Sequence, residues 1–481
     1  MEEALLLKNG DRKLVPIAPK AFVEELKKVT AIAAPMVMVN MSQHLLRVTP
    51  MIMVGHISEL SLSSVAIATS LTNVTGYSVL LGMAGALETL CGQAYGAEQY
   101  KKLGTYTNGA ILSLILVCLP ISLLWIFMDK LLVFFGQDPI VSLEAGKYAI
   151  WLIPSLFPYA ILESMVPYLQ TQSLILPMLL CSIVTLSFHI PLCWALVFKS
   201  GLGTKGAALA ISLSYWVDAI ALGLYLKYSP ACEKSRVPFS RDVFLSIGEF
   251  FRFALPSAGM VCLEWWSFEL LVLLSGLLPN PELESSVLSI CLTTTSLHSL
   301  IPYSIGAAAS TRVSNELGAG NSRAAQLSVC TVMVLAVAEA IMVCAALFCC
   351  RFILGYAYSS EKEVVDYVRE MTPLLCLSIV MDSITEILSG IARGSGWQHI
   401  GAYANFGAYY LVGIPLAIVL GFLQKLRGEG IWGGIVTGTI LQVILLTSAT
   451  CLTNWQEQAN KAKERIFKGR ILDDKLIDQL N

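Results

Sequence analysis

The sequence predicts an all-α polytopic membrane protein, with twelve transmembrane helices in two six-helix lobes related by a pseudo-two-fold axis along the membrane normal. Three observations predict it. The 481 residues are 56% hydrophobic and 14% charged, with a mean hydropathy of +0.68, which leaves too little polar surface to cover a soluble globule of that size. Apolar runs of roughly 20 or more residues, long enough to cross a hydrocarbon core of about 30 Å as helices, recur twelve times. The second half of the chain then repeats the prolines and glycines of the first.

Residues 1–27 form a tail, opening MEEALLLKNGDRKLVP, in which acids and bases interrupt any apolar core that a cleaved signal peptide needs. The first lobe, 28–227, holds spans at 28–54, 63–90, 106–128, 145–170, 174–198 and 206–227, with a tight turn near Gln172 to Leu174 between the fourth and fifth. A polar linker, 228–248, separates the lobes. The second lobe, 249–453, holds spans at 250–277, 286–310, 325–349, 362–393, 398–422 and 430–453, and 454–481 form a second tail. Alternating β-barrel patterning is absent, so the spans should be helices, which satisfy their own backbone groups in lipid.

The repeat sets Pro35 against Pro256, Pro154 against Pro373 and Pro191 against Pro415, while GALETLCGQAYGA (85–97) aligns with GAAASTRVSNELGAG (306–320) when Gly96 meets Gly318. Six helices per lobe is an even number, so both lobes enter the membrane from the same side. Lys and Arg assigned to the side of the tails outnumber those on the other by about threefold, which places both termini in the cytosol. Proline and glycine inside spans supply the bends that rocking lobes require, although neighbouring helices can also tolerate them in a rigid bundle. Gly430, Gly434 and Gly438 read as close helix packing.

Several function classes lack their marks. There is no G-x-x-x-x-G-K-[ST] phosphate loop, no metal spacing among His44, His56, His189, His298 and His399, and no repeated carbonyl filter of the TVGYG kind. The expectation is therefore a protein that is no enzyme, holds no cofactor or metal and, if it moves a solute uphill, draws on an ion gradient. It would sit in the bilayer, bind no nucleic acid and work as a monomer. Thirteen cysteines, mostly within spans and without a C-x-x-C pair, read as reduced structural thiols. The sequons at Asn40 and Asn73 fall inside expected helices and should carry no glycan.

Carboxylates inside spans cost about 2.5–3.5 kcal/mol at the bilayer centre, so each is a functional candidate by default. Asp218 and Glu339 read as lone structural acids without a matched partner, and Glu88 as an acid facing cytosolic water or a loop cation. Glu163 falls opposite Asp382 when Pro154 is set on Pro373. Asp382, Glu386, Ser389 and Arg393 share one helix stripe. Glu264 lies in CLEWW, an apolar setting that makes its charged form costly. Glu269, five residues on, points about 140° away, so the two cannot face one narrow cavity together. Glu264 and Asp382 are thus the expected proton sites, with Glu269, Glu163, Glu386, Thr294 and His298 as accessory or network candidates. Trp265, Tyr303, Tyr409 and Tyr410 are candidates to line a solute cavity by stacking and cation–π contact, or to pack against helices and lipid.

Long stretches, MVGHISELSLSSVAIATSLTNVTGYSVLLGMAGALETLCGQAYGA (53–97), GTKGAALAISLSYW (203–216), RVSNELGAGN (312–321) and ILSGIARGSGWQHIGAYANFGAYYLVGIPLA (387–417), resemble the plant branch of the MATE (multidrug and toxic compound extrusion) transporters, over nearly all of 28–453. The resemblance implies twelve helices in two lobes and exchange of a cation gradient for organic solutes. It also implies proton sites in the seventh and tenth helices, which here are Glu264 and Asp382. Many bacterial members carry an aspartate in the first helix, where this chain reads Arg47-Val48-Thr49-Pro50-Met51-Ile52 with no acid, which counts against a carboxylate mechanism in the first lobe. The expected function is a secondary active efflux transporter that exchanges H+, the coupling ion, for a small organic solute, a xenobiotic or secondary metabolite, by alternating access, with a lipid-linked oligosaccharide flippase of the same superfamily or a Na+-coupled exporter as alternatives. A scarcity of buried Arg and Lys counts against the flippase. EEALLL at 2–7 fits a dileucine vacuolar sorting pattern, but the plasma membrane is the preferred destination.

Overall fold

The computed structural model describes residues 19–480, with side chains as far as Phe467; the dileucine-like stretch lies outside the described residues. Twelve long helices cross the molecule: α1 (Pro19–Gly55), α2 (Glu59–Gly96), α3 (Tyr100–Ile126), α4 (Pro139–Thr171), α5 (Ile175–Lys199), α6 (Thr204–Tyr228), α7 (Arg241–Ser275), α8 (Pro281–Ala319), α9 (Ser322–Cys350), α10 (Lys362–Ser395), α11 (Gln398–Leu423) and α12 (Arg427–Leu452). All but α8 also meet a simple length-and-hydropathy requirement for crossing a membrane. A further helix, α13 (Trp455–Leu480), follows them.

Every expected span is present, and several run further than the apolar pattern suggested. α1 begins at Pro19 inside the expected tail, and α7 begins at Arg241, so the linker is shorter than 228–248. The last tail is helical rather than irregular. These extensions are polar turns outside the hydrocarbon, where hydropathy carries no signal but backbone hydrogen bonding continues. The turn between α4 and α5 takes three residues, with Ser173 in the left-handed region at φ 59°.

The repeat has a structural counterpart in the fifth helix of each lobe. Pro191 of α5 is followed four residues later by a π turn at Ala195–Lys199, and Pro415 of α11 by one at Val419–Leu423. Proline frees a carbonyl of the preceding turn, and wider π bonding is one way to absorb it.

Outward faces carry large apolar side chains, such as Leu116, Leu119 and Leu123 on α3, Leu176, Leu180 and Val184 on α5, and Ile341 and Met342 on α9. Exposed apolar surface on this scale belongs against lipid.

The lobes are joined asymmetrically. One apolar core runs continuously from the first lobe into those parts of α7 to α11 nearest the chain termini, through Phe250, Phe253, Val313, Leu317 and Ile391. A second core, including Leu271, Val287, Leu375 and Trp432, belongs to the other end of the second lobe alone. The halves are thus sealed at the end that carries Pro19 and α13, called here the terminal end.

That seal is built from small residues and polar bonds. A Cβ added at Gly96 would fall on the Asn315 carbonyl, and one at Gly318 on that of Gln93, so α2 and α8 cross with their backbones nearly touching. Glu25 of α1 binds Arg312 of α8 at 2.8 and 3.0 Å and accepts from Ser328 of α9 at 2.5 Å. Gln170 of α4 donates to the Ala307 carbonyl and to Thr311, both at 2.9 Å. α13 lies beneath both lobes: Arg465 donates to Gln93 at 2.6 Å and covers the Phe253 ring at 4.7 Å.

Candidate functional site

Glu163, Glu264, Tyr303, Asp382 and Glu386 each lie at least eight residues from either end of their helices, yet each keeps part of its surface accessible. They line an interior space between and within the lobes. Surface hollows of about 400 and about 610 Å³, lined by residues such as Ser286 and Tyr358 or Arg351 and Arg369, contain none of these side chains.

The wall contributed by α7, α11 and α12 centres on Glu264. Its carboxylate accepts from Asn405 Nδ2 at 3.2 Å and Gln442 Nε2 at 3.3 Å. Those amides are themselves fixed. Gln442 donates to Asn405 Oδ1 at 2.7 Å, Asn405 donates to the Met260 carbonyl at 2.7 Å, and Tyr409 donates to Gln442 Oε1 at 2.7 Å. An acid held by oriented amides has a defined place in the wall, whereas an acid in lipid does not.

On α10, Asp382 accepts from Ser378 at 3.1 Å. Glu386 lies one turn further, and both acids act electrostatically on Glu264. Sequence reasoning placed Asp382 and Glu386 on one stripe of α10 and Glu264 on another helix, and packing of both α7 and α10 against α12 brings the three together. Beside them stands a second cluster. His298 Nε2 of α8 lies 2.9 Å from Glu339 Oε1 of α9, and Ser383 of α10 donates to Glu339 at 3.0 Å.

Several readings need correction. Glu339 is no lone acid, because His298 and Ser383 partner it, and Asp218 accepts from Gln43 of α1 at 2.8 Å. Glu88 faces neither water nor a loop: it is buried and receives Arg393 Nε at 3.0 Å across the lobe boundary. Arg393 therefore pairs with Glu88 rather than with Glu386 on its own helix. Thr294 bonds back to the Ile290 carbonyl and approaches Tyr358 at 3.4 Å, outside the His298 network. Tyr409 is fully enclosed and serves as the support of Gln442, not as cavity lining. Tyr410 stacks on Phe406 at 6.0 Å. Trp265 is half-buried, and Tyr303 faces the interior with the Arg393 guanidinium 5.8 Å from its ring.

Glu269 accepts from Ser70 of α2 at 2.6 Å and Trp266 donates to the Val74 carbonyl at 3.0 Å, so this face of α7 meets the first lobe. The 140° separation from Glu264 decides that. Buried cations also prove less scarce than expected, since Arg393 is 4% exposed and Arg47 stands well inside α1. The first lobe holds a further group, in which Glu163 of α4 interacts electrostatically with Arg47 and Tyr159.

Asn405, Gln442 and Arg47 were missed as site residues. Gln442 had a signal, a solitary amide in TILQVILL; Asn405, beside aromatic residues, had a weaker one.

The MatE family model matches residues 35–195 and 256–419, one segment in each lobe. The chain belongs to the MATE family of transporters. Protein DETOXIFICATION 14 of Arabidopsis thaliana is 57% identical over 446 residues, covering 93% of this chain and 92% of that protein, and DETOXIFICATION 3 of the same plant is 54% identical over 470 residues, covering 97% and 98%. The crystal structure of the eukaryotic MATE transporter AtDTX14 superposes with a TM-score of 0.90 at 56% identity, covering 93% of this chain and all of that one. A MOP superfamily transporter from Pyrococcus furiosus shares the fold at 15% identity, with a TM-score of 0.81 over 91% of this chain and 97% of that one. The two-lobe MATE fold, the membrane setting and the kinship with transporters rather than enzymes follow from these matches.

Proposed function

We propose that this MATE protein exchanges protons for organic solutes by alternating access, with Glu264 and Asp382 as the proton sites and both termini in the cytosol. The observation that carries the reading is the amide-held Glu264 carboxylate, grouped with Asp382 and Glu386 in the interior, each still partly accessible. Three acids in one low-dielectric wall repel one another when ionised, which favours taking up either a proton or a solute cation. With the space open away from the terminal end, Glu264 and Asp382 take up protons from the acidic side. Neutralising them loosens a solute that carries positive charge. Reorientation opens the space to the cytosol, where the protons leave and the negative site is restored.

The Lys and Arg imbalance supports this orientation, and the sealed terminal end then faces the cytosol. Xenobiotics or secondary metabolites are the solute class, the protein works as a monomer, and the plasma membrane is its site.

The test is uptake into proteoliposomes under an imposed pH gradient. Glu264→Gln and Asp382→Asn should each abolish gradient-driven uptake while eluting as folded, monodisperse protein; full transport by both would refute the assignment. Replacing sodium with choline should leave the wild-type rate unchanged, and a loss of rate would transfer the coupling to sodium.

A further inference from the structure

The exchange cycle leaves open the role of Arg47, a cation of this interior. It lies on α1 eight residues from Gly55, partly accessible. Around it stand Tyr77 of α2, Tyr159 of α4 and Tyr215 of α6, and the acid Glu163 acts on it electrostatically. The tyrosines pack on one another, with Tyr77 and Tyr159 centroids 4.9 Å apart and Tyr159 and Tyr215 5.5 Å apart. The Tyr77 hydroxyl is engaged elsewhere, with Ser155 at 2.5 Å.

Among the described residues, no carboxylate lies within ion-pair distance of Arg47, and no hydrogen bond to its guanidinium is formed. Arg393 and Arg312 differ, for each has a carboxylate at 3.0 Å or less. A guanidinium inside a membrane span without a direct partner is costly, and it persists where it lines a wet cavity and serves a ligand. Its planar fork of five N–H donors matches a carboxylate in two parallel bonds. Tyr303 of α8, electrostatically linked to both Glu163 and Arg393, continues the aromatic wall from the first lobe to the second.

The wall of the first lobe thus carries a guanidinium without a direct partner, with Glu163 beyond ion-pair distance, and the wall of the second carries three clustered acids. We infer that Arg47 is the subsite for a solute carboxylate, and that the solute class is aromatic zwitterions whose ammonium end meets the Glu264, Asp382 and Glu386 wall. This rests on the proposed exchange only for the meaning of that wall. Protons displace the ammonium end, while Arg47 selects the anionic end and takes no part in proton exchange.

The test is equilibrium dialysis with the purified full-length protein in lipid nanodiscs, without any gradient, using radiolabelled 4-(aminomethyl)benzoate and 4-(aminomethyl)benzamide. These probes differ in the anionic group alone. Wild-type protein should prefer the carboxylate by roughly tenfold or more, the ratio expected of a charge-assisted hydrogen-bonded pair. Arg47→Gln should bring the ratio to about one, and Arg47→Lys, which keeps the charge but not the fork, to an intermediate value. Equal binding of both probes to wild type, an unchanged ratio in Arg47→Gln, or no binding of the carboxylate at 10 mM, about the weakest range of specific association, would each overturn the inference. The wild-type comparison requires no variant to fold. Failure of gradient-driven uptake with this ratio intact would count against the exchange reading alone.

Discussion

Gly96 packs on the backbone of Asn315, and Gly318 packs on the backbone of Gln93. Asn315 stands three residues before Gly318, as Gln93 does before Gly96, so the two contacts are one contact repeated about the pseudo-two-fold axis. Between them Gly92 meets Ser314. Closure at the terminal end thus depends on the absence of side chains at two equivalent positions.

Gly318→Ala should hold this end ajar, because the added methyl falls on a backbone carbonyl that cannot rotate away. In a background with the native cysteines replaced, alkylation of a Ser314→Cys reporter should speed up by roughly tenfold, the response to a shift of little more than 1 kcal/mol between closed and open forms. An unchanged labelling rate would mean that the crossing of α2 and α8 does not gate this end.

The buried pair of Glu88 and Arg393 ties α2 to α10 at 3.0 Å. Removing one partner leaves an uncompensated charge, at a cost of about 3–5 kcal/mol. Thermal unfolding in detergent should therefore show Glu88→Gln and Arg393→Gln each strongly destabilised, and the double variant less so than the two effects summed. Additive losses would show that the pair contributes no coupling.

Gln442 is the hub of the amide network, touching Glu264, Asn405 and Tyr409. Gln442→Leu keeps the volume and removes three hydrogen bonds, so Glu264 loses its fixed place. The expected result is a fall of gradient-driven uptake by about ten- to a hundredfold with little change in protein yield, as for the loss of a positioning group. Wild-type rates in this variant would show that Glu264 needs no such support.

Arg465 joins α13 to both lobes through Gln93 and Phe253. Burial and the nearby Arg252 draw its guanidinium below the ordinary value, opposed by Glu249, yet it stays charged throughout the working range. Arg465→Ala should expose the terminal end to hydrogen–deuterium exchange around residues 93–100 and 250–254, without altering exchange in α12. Protection equal to wild type would make α13 a bystander.

Much of this was legible in the residues. The spans follow from hydropathy because helices in lipid must satisfy their own backbone. Pro191 and Pro415 marked equivalent bends because proline acts locally. Glu264 and Asp382 stood out since an acid in hydrocarbon demands a reason. The partners of Glu88, Asp218 and Glu339 were not legible, because Arg393, Gln43 and His298 lie on other helices. The choice between lining and packing for Tyr409 stayed open for the same reason, since its partner Gln442 lies on another helix.

The sequence by itself determined the bilayer setting, the twelve crossings, the internal repeat and the identity of the acids that lipid alone would reject. Hydrophobicity and backbone satisfaction are properties of short segments, and they survive in one dimension. Only the tertiary structure decided which charges neutralise one another, that Arg47 is left without a direct partner, and that the lobes meet at the terminal end. Coulomb energy and close packing depend on distances between helices, and residues more than 300 positions apart, such as Glu88 and Arg393, come within 3.0 Å only once all of them have packed.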